Sequence, residues 1–290
     1  MSETLPSVRP GPLERLVAEA LDEDRGRGDV TTAATVPAAA RGRARIVAKA
    51  PGVLAGLAVA REVYRQVDPQ AAFEAPGKDG DPVRPGDPVA AAAGAFASLL
   101  LAERTALNFL QRLSGIATLT ARYVDAVRGT GARIVDTRKT TPGWRAMEKA
   151  AVRAGGGGNH RKGLYDAYLV KENHIIAAGG IREALAAVSG ANRDRLPVEI
   201  EVRTIAELEL ALTGPHPPDR LLLDNFELAG LADAVRRARA LHPRVLLEAS
   251  GNVDLTTVRA IAETGVDWIS VGALTHSAPA LDLSCLIDRA

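Results

Sequence analysis

One cysteine stands in the 290 residues, Cys285, so no disulfide closes within the chain and packing has to hold the fold. Aromatic residues are scarce: four Phe, four Tyr and two Trp. The most basic stretch holds only Trp144, Tyr165 and Tyr168, too few for the stacking platforms of single-strand nucleic-acid binding. Net charge is nearly absent as well. The 36 Lys+Arg balance 35 Asp+Glu to +1, which gives no whole-protein attraction for nucleic acid or an anionic membrane. The longest apolar stretch, Val89–Ala102, is Ala-rich and broken by Gly94 and Ser98, short of a membrane span. No basic-then-apolar leader opens the chain, since Met1–Pro12 carries Glu3 and three prolines. The expectation is a cytoplasmic protein. Zinc spacing, GxSxG, HExxH and GxxxxGK[ST] are all missing, and no GxGxxG follows the first strand of the second half.

What is present is ordinary globular composition, 47% hydrophobic and 24% charged, in a length that fits one large domain or two modest ones. Up to about residue 100, Pro51-Gly52, Pro76-Gly77 and Pro85-Gly86 punctuate short β-like runs such as Arg45–Lys49 and Val53–Leu54. Apolar spacing predicts helices over Leu13–Asp22, Ser98–Leu113 and Thr118–Arg128. From residue 132 strands and helices alternate. The strand candidates are Arg133–Asp136, Tyr168–Lys171, Val198–Val202, Arg220–Asp224, Val245–Ala249 and Trp268–Val271. Helices are expected over Ile181–Val188, Ile205–Leu212, Leu228–Leu241 and Leu255–Glu263. The last four strands start 22 to 25 residues apart, as repeated βα units of a parallel sheet do.

Polar residues fall at the ends of these runs: Asp136, Lys171, Glu201, Asp224, and Glu248 with Ser250. A parallel α/β barrel gathers such positions on the face where its enzymes keep their sites, and an open doubly wound sheet does likewise. The segment 136–174 holds eight Lys/Arg against four acids, with His160 and His174 besides, around the four consecutive glycines Gly155–Gly158. Exposed backbone N–H groups and bidentate arginines suit an anionic small molecule. Arg138, Lys139, His160, Arg161 and Lys171, at strand ends or beside the glycine run, are the candidates. Arg145, Lys149 and Arg153, at i, i+4 and i+8, read equally as a solvated helix face. Glu201 and Asp224 end neighbouring strands and admit three roles: holding Mg²⁺, contacting ribose hydroxyls, or serving as acid and base. Capping a helix or pairing with an arginine is the plainer account. Glu199 and Glu201 share one face, so one of the pair could simply brace Lys171 or an arginine. Ser250-Gly251-Asn252 and Val271-Gly272-Ala273 follow the last two strands, where barrels hold phosphate. His276 reads as structural.

Several long motifs in fixed order resemble the quinolinate phosphoribosyltransferases, also called nicotinate-nucleotide pyrophosphorylases (carboxylating). They are Glu23–Thr32, Glu103-Arg-Thr-Ala-Leu-Asn108, Leu113–Thr118, Asp136-Thr-Arg-Lys-Thr-Thr-Pro-Gly143, Gly155–Arg161, Leu169-Val-Lys-Glu-Asn-His174, Leu223-Asp-Asn225 and Val271–His276. The resemblance implies an N-terminal α/β sandwich domain over 1–106 and an incomplete, seven-stranded parallel α/β barrel of the type II phosphoribosyltransferase kind over 107–276. Residues 277–290 are expected to pack back near the first domain. It also implies a homodimer in which Arg104 reaches the partner's site.

The implied reaction joins quinolinate to phosphoribosyl pyrophosphate with Mg²⁺, giving nicotinate mononucleotide, pyrophosphate and CO₂. By the same resemblance Arg104, Arg138, His160, Arg161 and Lys171 bind quinolinate, and Lys139 serves the pyrophosphate or phosphate groups. Glu201 and Asp224 stand near ribose and Mg²⁺, while Ser250, Gly251, Gly272 and Ala273, with Asn252 beside them, hold the 5′-phosphate. Rival readings are a molybdenum-transport-associated relative, a barrel aldolase using Lys171 as a Schiff base, and a sensor of phosphorylated metabolites that performs no chemistry.

Overall fold

The computed structural model describes residues 11–289, so the leader reading at Met1–Pro10 lies outside the described residues. The chain forms two compact units: the described residues up to Thr118 together with those from Pro279, and Leu119–Ala278.

The first unit is built on an antiparallel sheet. Its strands are β1 (Arg41–Ala48), β2 (Gly52–Val53), β3 (Ala72–Glu74), β4 (Pro82–Val83) and β5 (Pro88–Ala95); β12 (Leu283–Arg289) joins from the far end of the chain. The order is β12-β1-β5-β3, with β2 and β4 forming a separate pair. In β1 the period of two is plain: Arg41, Arg43 and Arg45 face water while Gly42, Ala44, Ile46 and Ala48 are buried. Helix Leu57–Val67 buries Leu57, Val59, Ala60, Val63 and Tyr64, the stripe expected of an amphipathic helix. Strand β12 has no counterpart among the sequence expectations. Its register on β1, Gly42↔Arg289 through Ala48↔Leu283, brings its mixed apolar–charged pattern into the sheet.

The two helices expected over Ser98–Leu113 and Thr118–Arg128 are one, Phe96–Ala126. Ser114 and Gly115, between the two expected stretches, are contact residues. Ser114 Oγ bonds both N (3.0 Å) and O (3.2 Å) of Ala55. A Cβ on Gly115 would stand 2.0 Å from the carbonyl oxygen of Pro279, so only glycine permits that approach.

The second unit is a six-stranded parallel sheet: β6 (Arg133–Val135), β7 (Tyr168–Val170), β8 (Val198–Val202), β9 (Arg220–Asp224), β10 (Leu246–Ser250) and β11 (Trp268–Ser270), in the order β6-β11-β10-β9-β8-β7. Leu221, Leu222 and Leu223 are buried in succession, as in a parallel strand covered on both faces. The seventh strand is reduced to a single parallel bridge, Val135↔Gly158, with Gly158 N donating to Ile134 O at 2.8 Å. Four glycines weaken a strand too much to extend it further. Helix Leu255–Glu263 starts later than expected, at Val258, because Asp254 accepts from the amides of Thr256 and Thr257 and holds a turn there. Helix Arg145–Ala154, which the i, i+4, i+8 spacing offers as one reading, and helix Glu172–Ala178, which the sequence did not suggest, flank the glycine run and β7. Among the described residues no helix is long and apolar enough to cross a membrane.

Candidate active site

Alternation along the strands decides what meets at the centre. Residues two apart share a face, and the pairings put Glu201 beside Leu222, Leu222 beside Glu248, and Asp224 beside Ser250. A pocket of about 220 Å³ is lined by residues at the ends of all six strands: Thr137, Arg138 and Lys139 after β6, Leu169 and Lys171, Glu201, Leu222 and Asp224, Glu248 and Ser250, and Ser270. His160 and Arg161, just past the glycine run, complete it. A curved sheet that gathers its carboxyl ends around one cavity is the barrel arrangement. A second cavity, about 340 Å³ and mostly apolar, lies around Leu164, Tyr168 and Val188; its only basic groups are Arg161 and His174, and it has none of the acids.

Charge in the first pocket is unevenly compensated. Among the described residues Arg138, Lys139 and Arg161 make no ion pair, and the buried Nε atoms of Arg138 and Arg161 have no hydrogen-bond partner. Burial, and then the neighbouring Arg138 charge, press the Arg161 guanidinium pKa down from its usual value. Two arginines that lack acids and repel each other make a receptor for an anion with more than one charge. Lys171 is exposed and pairs with Glu201 (3.3 Å).

Beneath them is a layer whose cross-strand pairings were not among the sequence expectations. His160 Nε2 meets Oε2 of Glu199 at 3.0 Å and Oε2 of Glu248 at 3.3 Å, and Arg220 Nη1 lies 3.3 Å and 3.6 Å from the same two carboxylates. Arg220 stacks on Trp268, its guanidinium carbon 3.6 Å from the ring centre. Of the two glutamates on that face, Glu199 therefore braces an arginine and Glu201 pairs with Lys171. The same His160, Glu199 and Glu248 atoms are close enough together to ligate a metal, yet the Arg220 guanidinium already supplies the cation there. Alternation of Glu199 with Glu201, of Arg220 with Leu222, and of Glu248 with Ser250 was the available signal, since it aims all three inward.

Lys149, which the sequence left open, is structural. It is 3% exposed, bonds the fully buried Asp136, and donates to the His160 carbonyl (3.0 Å). Asp136 also accepts the His160 amide at 2.9 Å, so the pair fixes the segment that carries His160 and Arg161.

The phosphate-side candidates form interlocked loops. Asn225 N donates to Ser250 O (2.9 Å), and Gly251, at φ +103°, leaves no room for a Cβ beside Asn225 Oδ1. Asn252 sits next to it at φ +49° and is exposed. Gly272 precedes the short helix Ala273–His276, and a Cβ there would stand 3.1 Å from His276 Nε2 and 3.2 Å from Lys139 Cδ. His276, read as structural, is thus beside Lys139, whose carbonyl accepts from Thr275 Oγ1 at 2.8 Å. Only Ser250 of this group lines the pocket itself. Arg104 lies in the first unit, exposed on helix Phe96–Ala126, and makes no ion pair among the described residues.

The donor set at Glu201 and Asp224 fits magnesium. Both are carboxylates on the pocket wall, and that ion commonly takes one or two carboxylates with the rest from water and substrate phosphates.

The pattern of the family described as "Quinolinate phosphoribosyl transferase, N-terminal domain" matches residues 29–114, and that of its C-terminal domain matches 116–285. A tobacco protein, quinolinate phosphoribosyltransferase (decarboxylating) 1b, is 44% identical over 293 residues, covering 95% of this chain and 82% of its own. A nicotinate-nucleotide pyrophosphorylase (carboxylating) of Mycobacterium leprae is 45% identical over 275 residues, covering 92% and 94%. The solved structure of the nicotinate-nucleotide pyrophosphorylase from Francisella tularensis superposes with a TM-score of 0.89 at 38% identity, covering 99% of this chain and 100% of that one.

Proposed function

The chain belongs to the quinolinate phosphoribosyltransferase family, and from that premise we propose that its strand-end pocket transfers a phosphoribosyl group to quinolinate with loss of CO₂. The products are nicotinate mononucleotide and pyrophosphate, a step of NAD biosynthesis. The observation that carries this assignment to the pocket is the unpaired cation set Arg138, Lys139 and Arg161, facing the same cavity as Glu201 and Asp224.

Quinolinate carries two carboxylates, and two guanidiniums without acid partners suit them better than lysines would, because each fork makes paired hydrogen bonds. Arg138, Arg161 and Lys171 hold the ring, with His160 supporting from below. Lys139 neutralises the pyrophosphate, and Ser250, Gly251, Gly272 and Ala273 hold the 5′-phosphate, with Asn252 at the rim. Departure of pyrophosphate leaves an oxocarbenium-like ribose carbon, which Glu201 and Asp224 stabilise; the pyridine nitrogen attacks, so no enzyme nucleophile is needed. Mg²⁺ held by Glu201 and Asp224 would offset charge on the leaving group. Decarboxylation then leaves the electron pair of the broken C–C bond on a ring carbon beside a cationic nitrogen, where the surrounding arginines favour it until a proton from solvent takes the place of the lost CO₂. Arg104, an exposed cation without a partner among the described residues, is assigned to the second subunit's site in a homodimer. We read the enzyme as cytoplasmic.

The test is CO₂ release from carboxyl-labelled quinolinate by purified protein, with phosphoribosyl pyrophosphate and Mg²⁺ each omitted in turn. Release that requires all components, matched by nicotinate mononucleotide, is expected. Binding of phosphoribosyl pyrophosphate without release would move the acceptor to another pyridine acid.

A further inference from the structure

Two residues beyond Glu201, on the same face of the chain leaving β8, stands Arg203. Its three guanidinium nitrogens reach three different acids: Nη1 to Glu172 Oε2 at 2.6 Å, Nη2 to Glu201 Oε1 at 3.3 Å, and Nε to Asp224 Oδ2 at 3.4 Å. We propose that Arg203 is the resting counter-cation of the Glu201–Asp224 pair and makes divalent-metal binding depend on the phosphate-bearing substrate. This role rests on the assignment of Glu201 and Asp224 to ribose and metal.

The argument is one of charge. Carboxylates brought together on one pocket wall repel each other unless a cation stands between them. Here Lys171 and Arg203 oppose Glu172, Glu201 and Asp224, two positive groups against three negative, leaving −1. A divalent ion entering alone would turn that to +1 beside the uncompensated Arg138, Lys139 and Arg161. Entering with a pyrophosphate, it arrives with negative charge that the whole pocket can accept. Removing Arg203 leaves the five-group cluster at −2, the charge one divalent ion neutralises by itself. Glu172 strengthens the device from outside. Its bond to Nη1 anchors the fork at the pocket rim. The position also explains why an arginine is used. A lysine is a point charge and would serve one carboxylate, whereas the fork spans the pair.

The experiment is Mn²⁺ titration of the full-length protein, followed by the EPR signal of free ion, with and without phosphoribosyl pyrophosphate. In wild type, Mn²⁺ alone should bind weakly and tighten when the phosphoribosyl compound is present. Arg203→Gln should bind Mn²⁺ alone about tenfold more tightly, the effect of losing one partly exposed neighbouring charge, so the tightening by substrate shrinks by the same factor. Arg203→Lys keeps the charge but reaches one carboxylate, so its Mn²⁺ affinity should fall between wild type and Arg203→Gln. Adding Glu201→Gln to Arg203→Gln should abolish the gain. Equal Mn²⁺ affinity in wild type and Arg203→Gln, with both melting cooperatively at similar temperatures, would overturn the proposal. If Glu201→Gln and Asp224→Asn leave Mn²⁺ binding unaltered even with phosphoribosyl pyrophosphate, the metal reading of those acids fails first, and the proposal falls with it.

Discussion

Glu248 Oε2 lies 3.3 Å from His160 Nε2, inside the barrel, where the glutamate is fully buried and the histidine 9% exposed. Burial disfavours a charged ring, yet hydrogen bonds and charge from Glu199 and Glu248 outweigh it and lift the His160 pKa to about 9. One contact opposes this: the Arg161 amide donates to His160 Nδ1 at 2.7 Å, which a doubly protonated ring cannot accept. Both carboxylates face the one Nε2–H, so a single charge-assisted bond, worth about 1.5–3 kcal/mol, and the attraction of two negative charges stand against a neutral bond worth about 1 kcal/mol, and the carboxylates win. On that balance the imidazolium is the favoured form at neutral pH.

The sign of the pH effect is set by that raised value. A folded-state pKa above the unfolded value stabilises fully below about 6.5 and loses that stabilisation as pH rises through about 9. Glu248→Gln should lower the His160 pKa and flatten the decline in Tm between those limits. Imidazole nitrogen chemical shifts across the same range report the ring directly. An unchanged His160 titration in Glu248→Gln would break the link.

Lys149→Met tests the support behind the same segment. Burial pushes the Asp136 carboxyl pKa up even with Lys149 beside it, so removing the ammonium strands a fully buried acid. Breaking such a pair costs about 3–5 kcal/mol, measurable by urea unfolding. Lys149 also holds the His160 carbonyl, so the surviving enzyme should show a raised KM for quinolinate. A loss under about 1 kcal/mol, the worth of an exposed pair, would mean that the pair is wetter than its 3% and 0% exposures imply.

Strands β8 and β9 begin and end where the sequence placed them, because their apolar runs are bounded by charged residues and turns. The site candidates at their ends, Glu201 and Asp224, were legible for the same reason. Glu248 and Arg220 were harder. A barrel core is expected to hold branched apolar side chains, and nothing local to one strand shows that a carboxylate on β10 will meet a guanidinium on β9. Arg203 left even less trace, since an arginine just past a strand looks like any exposed loop cation; its meaning comes from Glu172 and Asp224, which only the fold brings near. Lys149 shows the converse. Spacing at i, i+4 with Arg145 and Arg153 suggested a solvated face, while the helix turns that one lysine inward.

Gly251 offers a separation of binding from folding. Its φ of +103° is a region L side chains rarely adopt, and a Cβ would meet Asn225 Oδ1 at 2.1 Å. Gly251→Ala must therefore shift either its own backbone or Asn225, at a cost of about 1–3 kcal/mol. The strain stays in the loops after β9 and β10, because Asn225 N is tied to Ser250 O and the ladder below is held by the buried Leu221, Leu223, Leu247 and Ala249. Phosphoribosyl pyrophosphate is the ligand assigned to those loops, whereas quinolinate is assigned to Arg138 and Arg161 across the glycine run. The expected result is a KM for phosphoribosyl pyrophosphate raised at least tenfold, the KM for quinolinate within twofold of wild type, and a Tm lowered by a few degrees. Steady-state kinetics with each substrate varied in turn gives the split. Equal rises in both constants would mean that the loop shapes the whole pocket, and the 5′-phosphate would lose its assignment to Gly251.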